Sequence, residues 1–219
     1  MNYKPIIIVA GEPNSIFLEI FFKSIKQNNF KSPLILIASD KLVKLQMKKL
    51  NFKKKIRLIN FDDIKSKKLN NKSINLIDIN LNQNKAFKKI SIKSKSYIEK
   101  SFNVGLNILN SGLSYKFING PISKDKFLNK KYPGITEYLA SKSRIKKFAM
   151  LIYNKNISVC PLSTHIPVKN ITKHITKDNI CEKVKLLDNF FLKYKKIKPN
   201  IGVIGLNPHC ESTDNFNED

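Results

Sequence analysis

Arginine is almost missing from this 219-residue chain: of 41 basic residues only Arg57 and Arg144 carry a guanidinium. Nucleic-acid surfaces favour that planar, bidentate fork over the lysine ammonium, so a formal net charge of +25 does not amount to a nucleic-acid footprint. The lysines run through the whole chain beside abundant asparagine and isoleucine, three residues with A/T-rich codons. A biased genome accounts for them, and their runs are read as solvated faces. Glycine is scarce as well, with seven residues and no G-x-G-x-x-G, which excludes a Rossmann phosphate loop. Cysteine is limited to Cys160, Cys181 and Cys210. An odd number without C-x-x-C spacing excludes a disulfide framework and a thiolate zinc cluster, leaving free thiols. No stretch approaches the roughly 18 uncharged apolar residues of a membrane span. The opening MNYKPIIIVAGEP lacks the length and small-residue cleavage site of a signal peptide. The expected location is the cytoplasm, with no membrane partner.

What is present is an apolar fraction of 42%, enough for a packed core. Short β-rich runs alternate with longer amphipathic stretches, the pattern of an α/β fold with a largely parallel sheet. Strands are expected at 5–11, 33–39, 55–61, 74–80, 115–120, 148–153, 157–163 and 201–205. The stretch after the first strand has Ile16, Ile20, Phe21 and Ile25 at helical spacing. A second helix is capped by Ser39 or Asp40. A third has Tyr97, Ile98, Phe102, Leu106 and Leu109 as its stripe and Gly112 as its stop. Thr176 caps a fourth, with Ile180, Val184, Leu187, Phe190 and Phe191 facing inward. Residues 65–73 read as an exposed loop. A domain break is expected near 120–135, giving a first α/β domain over 1–130 and a second over 131–219.

Only three histidines occur. His165, in STHIPV, follows the expected strand 157–163, and His209, in GLNPHC, follows the expected strand 201–205. Ligand crevices of open parallel sheets lie at the carboxyl ends of strands, and imidazole is the commonest ligand for zinc and similar ions. The two are also more than forty residues apart, without a local spacing signature, and each fits an ordinary loop histidine equally well. His174 has no such placement and is assigned no role. Other polar turns stand at comparable positions: GEP at 11–13, NGPISK at 119–124 with Lys124, and PGITEY at 133–138, where Thr136 is an N-cap candidate. Helix N-termini favour phosphate, and Lys124 offers an ammonium to the same anion. Turn-making and capping alone explain the same residues.

In this order and at these intervals, GEPNSI, NGPISK, PGITEYLA, STHIPV and GLNPHCE resemble the 4-hydroxythreonine-4-phosphate dehydrogenase family of vitamin B6 biosynthesis. The resemblance covers essentially the whole chain. It implies an isocitrate/isopropylmalate dehydrogenase-like fold, two α/β/α domains around a cleft, and a homodimer. It implies NAD or NADP as cofactor and a divalent metal (Zn, Mg or Co). His165 and His209 match two of three metal ligands, Lys124 matches a cleft lysine, and Ile135 and Thr136 match a His-Thr pair that holds the substrate. The implied reaction is oxidation of a phosphorylated hydroxy acid, 4-phosphohydroxy-L-threonine, followed by decarboxylation to 3-amino-2-oxopropyl phosphate. The alternatives are a dehydrogenase of threonate or erythronate 4-phosphate, or an inactive remnant. Three departures accompany the resemblance. NSIFLE follows GEP where the family is glycine-rich, and Ile135 replaces an imidazole. The chain ends at Asp219, where the family continues to a third metal histidine, so a C-terminally truncated form is expected.

Overall fold

The runs IIIV and LILIA offer no polar position to water, so they are stable only where both faces of a sheet are covered. In the computed structural model, which describes residues 3–129, 131–205, 212–213 and 216–217, they form β1 (Ile6–Val9) and β2 (Leu34–Ala38). With β3 (Ile56–Leu58), β4 (Ile74–Asp78) and β5 (Lys116–Asn119) they make a five-stranded sheet in the order β3-β4-β2-β1-β5. Every pairing in it is parallel. The chain divides into two compact units, Met1–Tyr138 and Leu139–Asp219, and the sheet belongs to the first.

Even-numbered strand residues Ile8, Leu34, Leu36, Ile74 and Leu76 face one layer. That layer is built from α1 (Phe17–Gln27) and α2 (Asp40–Lys49), which contribute Leu18, Phe21, Phe22, Leu42, Val43 and Met47. Odd-numbered residues face α4 (Lys95–Asn110), whose Gly105 lets the helix approach closely: a Cβ there would stand 2.7 Å from the Phe117 ring and 3.0 Å from Val9. Between them α3 (Phe61–Ser66) is closed by a capping box of Asn60 and Asp63. Ser39 caps α2, accepting from Leu42 N, and Gly112, at φ +74°, ends α4 as its spacing requires. In α1 the sequence-based stripe is rotated. Ile16 and Ile20 are 65% and 52% exposed while Leu18, Phe21 and Phe22 are buried. Leu18, Phe21 and Phe22 share one face at i, i+3, i+4, and Phe22 stacks on Phe52 at 4.7 Å, so the aromatic pair decides which face turns inward.

The second unit departs further from expectation. The runs 148–153 and 157–163 form a single antiparallel bridge, Ile152 to Val159, rather than parallel strands, and 201–205 is not a strand. Without a neighbouring ladder these apolar runs stay largely exposed, Ile157 at 75% and Ile204 at 93%. The helices α5 (Ile135–Lys142) and α6 (Lys177–Phe190) form where expected, and Thr176 caps α6 by accepting from Asn179 N, but of the expected inward stripe Phe190 is exposed and Phe191 lies in the π-helical turn after the helix. None of the α6 residues is fully buried. No helix among the described residues is long and apolar enough to cross a membrane.

Candidate active site

The carboxyl ends of β1 and β5 touch through backbone. Gly120 N donates to Val9 O at 2.7 Å and Glu12 N donates to Pro121 O at 2.8 Å, so the GEP and NGPISK turns are joined directly. Glycine is required on both sides. A Cβ on Gly11, whose φ is +72°, would stand 2.4 Å from Pro121 O, and one on Gly120 would stand 2.1 Å from Ala10 O. No side chain fits at such distances, so this seam holds only with bare backbone.

Glu12 leaves the seam pointing inward and is 2% exposed. Ser94 Oγ lies 3.0 Å from its Oε2 and 3.3 Å from its Oε1, with Asn14 N at 3.5 Å. Burial pushes the Glu12 carboxyl above its ordinary value, against the lowering effect of the Ser94 and Asn14 hydrogen bonds. The turn that follows is tied to the loop after β4. Asn14 Oδ1 accepts from Gln83 Nε2 and from Lys88 N, both at 2.9 Å, and fully buried Gln46 donates to Pro13 O and Ala86 O. Buried Tyr97 accepts from Ser39 N at 3.2 Å, and burial, with the nearby Asp78 and Glu12 charges, raises its hydroxyl well above the phenol range. These residues, Glu12, Asn14, Gln46, Gln83 and Ser94, were not singled out by sequence reasoning. The GEP motif was the available signal, but the inward direction of a carboxylate is not a property of spacing.

Lys124 is exposed and opens a π-helical turn, Lys124–Leu128, capped by Ser123, which accepts from Lys126 N at 3.2 Å. Ile135 and Thr136 are half-buried in the first turn of α5. Thr136 is therefore inside the helix and not its N-cap, because the helix begins one residue earlier and Gly134 O already accepts from Tyr138 N. Both segments are pinned to one aromatic hub: buried Phe102 lies 6.0 Å from Phe127 and 5.6 Å from Tyr138, which are 5.1 Å from each other. Burial, with Glu99 and Tyr132 adding, pushes the Tyr138 hydroxyl up to about 12. Phe127 follows Lys124 by three residues and Tyr138 follows Thr136 by two, so the hub brings the two predicted segments together.

His165 is exposed and has φ +56°, the left-handed region that non-glycine residues enter at a cost of roughly 1–2 kcal/mol. It lies six residues beyond the Ile152–Val159 bridge, so it does not end a parallel strand as the sequence suggested. His209 lies outside the described residues. Among the described residues no group of three His, Cys, Asp or Glu side chains is placed to hold a metal ion. One imidazole alone does not make a metal site.

Residues 29–219 match the family described as pyridoxal phosphate biosynthetic protein PdxA. The chain belongs to the PdxA family. Among PdxA relatives, the 4-hydroxythreonine-4-phosphate dehydrogenase of Sulfurihydrogenibium sp. is 33% identical over 217 residues, covering 95% of this chain and 65% of that protein. The chain thus spans slightly less than two thirds of that relative's length. The D-threonate 4-phosphate dehydrogenase of Salmonella typhimurium is 24% identical over 225 residues, covering 100% of this chain and 68% of that protein. A solved Salmonella typhimurium structure superposes with a TM-score of 0.83 at 23% identity, over 96% of this chain and 66% of its own, which confirms the α/β fold with its parallel sheet.

Proposed function

We propose that this PdxA-family chain belongs to an NAD- or NADP-dependent dehydrogenase that oxidises and decarboxylates 4-phosphohydroxy-L-threonine, yielding 3-amino-2-oxopropyl phosphate. The observation that carries the reading is the family match together with the seam at the sheet's carboxyl edge, where the GEP and NGPISK turns meet. In this reading Lys124 and the first turn of α5, with Thr136, receive the phosphorylated substrate, since an ammonium and free helical N–H groups both favour phosphate. Ile135 contributes contact but no hydrogen bond. His165 and His209 hold a divalent ion, Zn, Mg or Co. The exposure of His165 and its left-handed backbone support this role, because strain of that kind clusters at ligand-binding positions. Such an ion, when bound, supplies Lewis acidity to an alcohol and then to an enolate. The proposal includes the isocitrate/isopropylmalate dehydrogenase-like architecture for the domains 1–130 and 131–219, a homodimer, and action in the cytoplasm.

A second reading, oxidation of a four-carbon sugar acid phosphate, is favoured by one observation: the full-coverage relative named for D-threonate 4-phosphate. Ile135 is the position where the substrates would be told apart. The test is to incubate the protein, with Mg²⁺, Zn²⁺ or Co²⁺, with 4-phosphohydroxy-L-threonine and with D-threonate 4-phosphate, following NADH or NADPH absorbance. Faster turnover of the first supports the proposal, and faster turnover of the second selects the alternative. No turnover of either, with no bound divalent ion and no change on His165→Ala, reduces the chain to a remnant without activity.

A further inference from the structure

Among the described residues the strand β3 forms one edge of the sheet, pairing with β4 alone. Its hydrogen-bond parity is fixed by two bonds: Ile74 N donates to Lys55 O at 2.8 Å and Ile59 N donates to Leu76 O at 2.9 Å. Lys55, Arg57 and Ile59 therefore turn their backbone groups towards β4, and Ile56 and Leu58 turn theirs outward. Alternation also puts the Ile56 and Leu58 side chains on the face that carries α2. Along that face runs an open groove of about 760 Å³. Its apolar lining is Met47, Phe52, Ile56 and Leu58, the last 58% exposed.

The rim of the groove is predominantly basic. Lys44, Lys48, Lys53, Lys54 and Lys55 line it, and the single acid is Asp40. Asp40 is already paired with Lys44 at 2.6 Å. No ion pair forms at Lys48, Lys53, Lys54 or Lys55 among the described residues. Protein edges are commonly protected by lysine against another edge of the same kind. That protection is selective, since it repels a basic strand and attracts an acidic one.

We propose that the β3 edge and its groove dock an extended segment of a partner protein that carries apolar residues flanked by acidic ones on the one face it turns to the groove. Main chain pairs with the outward N–H and C=O groups of Ile56 and Leu58, apolar side chains enter the groove over Met47 and Phe52, and carboxylates on the same face of the segment, before and after the apolar positions, meet Lys48 and Lys53 to Lys55. A polypeptide is the occupant that satisfies all three features. A lipid or a nucleic acid answers the charge and leaves the edge unpaired.

The test uses the 219-residue chain and a fluorescein-labelled octapeptide with threonine at every even position, valine at the third and fifth and glutamate at the first and seventh, so that valines and glutamates share one face, followed by anisotropy at low and moderate salt. Three comparisons read the mode. The combined variant Lys53→Glu, Lys54→Glu, Lys55→Glu removes the charge match. Leu58→Pro deletes an outward N–H that no ladder bond uses, a substitution tolerated on an edge strand. The same peptide N-methylated at alternate residues blocks pairing without altering the protein. Each is expected to weaken binding by about tenfold or more, the loss of one or two net hydrogen bonds or charge contacts, with circular dichroism unchanged. No binding of this peptide overturns the proposal. So does a loss of less than about tenfold with both Leu58→Pro and the methylated peptide, which is charge alone. Displacement of the peptide by duplex DNA at lower concentration than by unlabelled peptide overturns it in favour of nucleic acid.

Discussion

A serine hydroxyl has one proton to give, and Ser94 stands between two acceptors, Glu12 Oε2 at 3.0 Å and Ser91 O at 2.8 Å. If Glu12 is ionised, the proton serves either the carboxylate or the carbonyl. If Glu12 is protonated, its carboxyl donates to Ser94 Oγ, which donates onward to Ser91 O, and every group is satisfied. Burial raises the Glu12 value, so the folded protein holds a proton that the unfolded chain releases. The sign follows: this contribution is greatest below the ordinary value of 4.5 and is lost as pH climbs from there through the raised folded value. Glu12→Gln keeps the shape and supplies a permanent donor to Ser94. The difference in unfolding free energy, variant minus wild type, is expected to increase in the variant's favour as pH rises across that window, measured by urea titration at several pH values. A flat difference would mean that folding leaves the carboxyl at its ordinary value. At the same seam Gly120→Ala forces a Cβ to 2.1 Å from Ala10 O. The nearest atoms are Ala10 backbone, with the Phe17 ring beside them, so a loss of about 3 kcal/mol is expected, at the upper end of overpacking costs, read from the denaturation midpoint.

At the scale of elements, the start of β2 depends on one side chain outside the sheet. Asn71 accepts from Leu34 N at 2.8 Å and donates to Phe30 O and Ser32 O, both at 2.9 Å. It clamps the approach to the central strand from a loop 37 residues away. Asn71→Ala removes three bonds and strands a strand-end N–H, so a loss of about 2 to 3 kcal/mol is expected by chemical denaturation, with the sheet's far-ultraviolet signal retained. Nothing local in NNKS announces that clamp. Caps, in contrast, were legible: Ser39, Thr176 and Gly112 act within four residues of themselves, so sequence carries the whole interaction. The central strands were legible for a similar reason, since a run such as LILIA has no alternative to burial. The face of α1 was not, because Phe22 is chosen by Phe52, thirty residues on. At the candidate site the turns could be read from Gly-Pro and Gly-Glu-Pro, while the carboxylate that turns inward behind them could not.

For the whole molecule, burial is distributed very unevenly between the two units. Beyond Leu139, Ala140 is the only buried residue among those described, whereas β1 and β2 are nearly sealed from water and β4 buries Ile74, Asn75 and Leu76. Periodicity in 148–163 and 201–205 suggests strands because isoleucine and valine dominate there, but a strand needs a partner ladder, and among the described residues one bridge between Ile152 and Val159 is all that forms in these runs. Local opening costs little free energy where few apolar contacts and few backbone bonds must be broken. Amide hydrogen exchange followed by mass spectrometry should therefore resolve two classes in the 219-residue chain. Peptides covering 6–9, 34–38 and 74–78 are expected to exchange only through global unfolding, with protection that falls together as denaturant is added. Peptides covering 144–176 are expected to exchange orders of magnitude faster, and α6 to lie between, held by its own ladder and by the Lys147–Glu182 and Lys183–Phe148 contacts. Equal protection of 148–163 and the central strands would show that other polypeptide covers those residues in solution. That outcome would move the apolar run from an exposed surface to an interface.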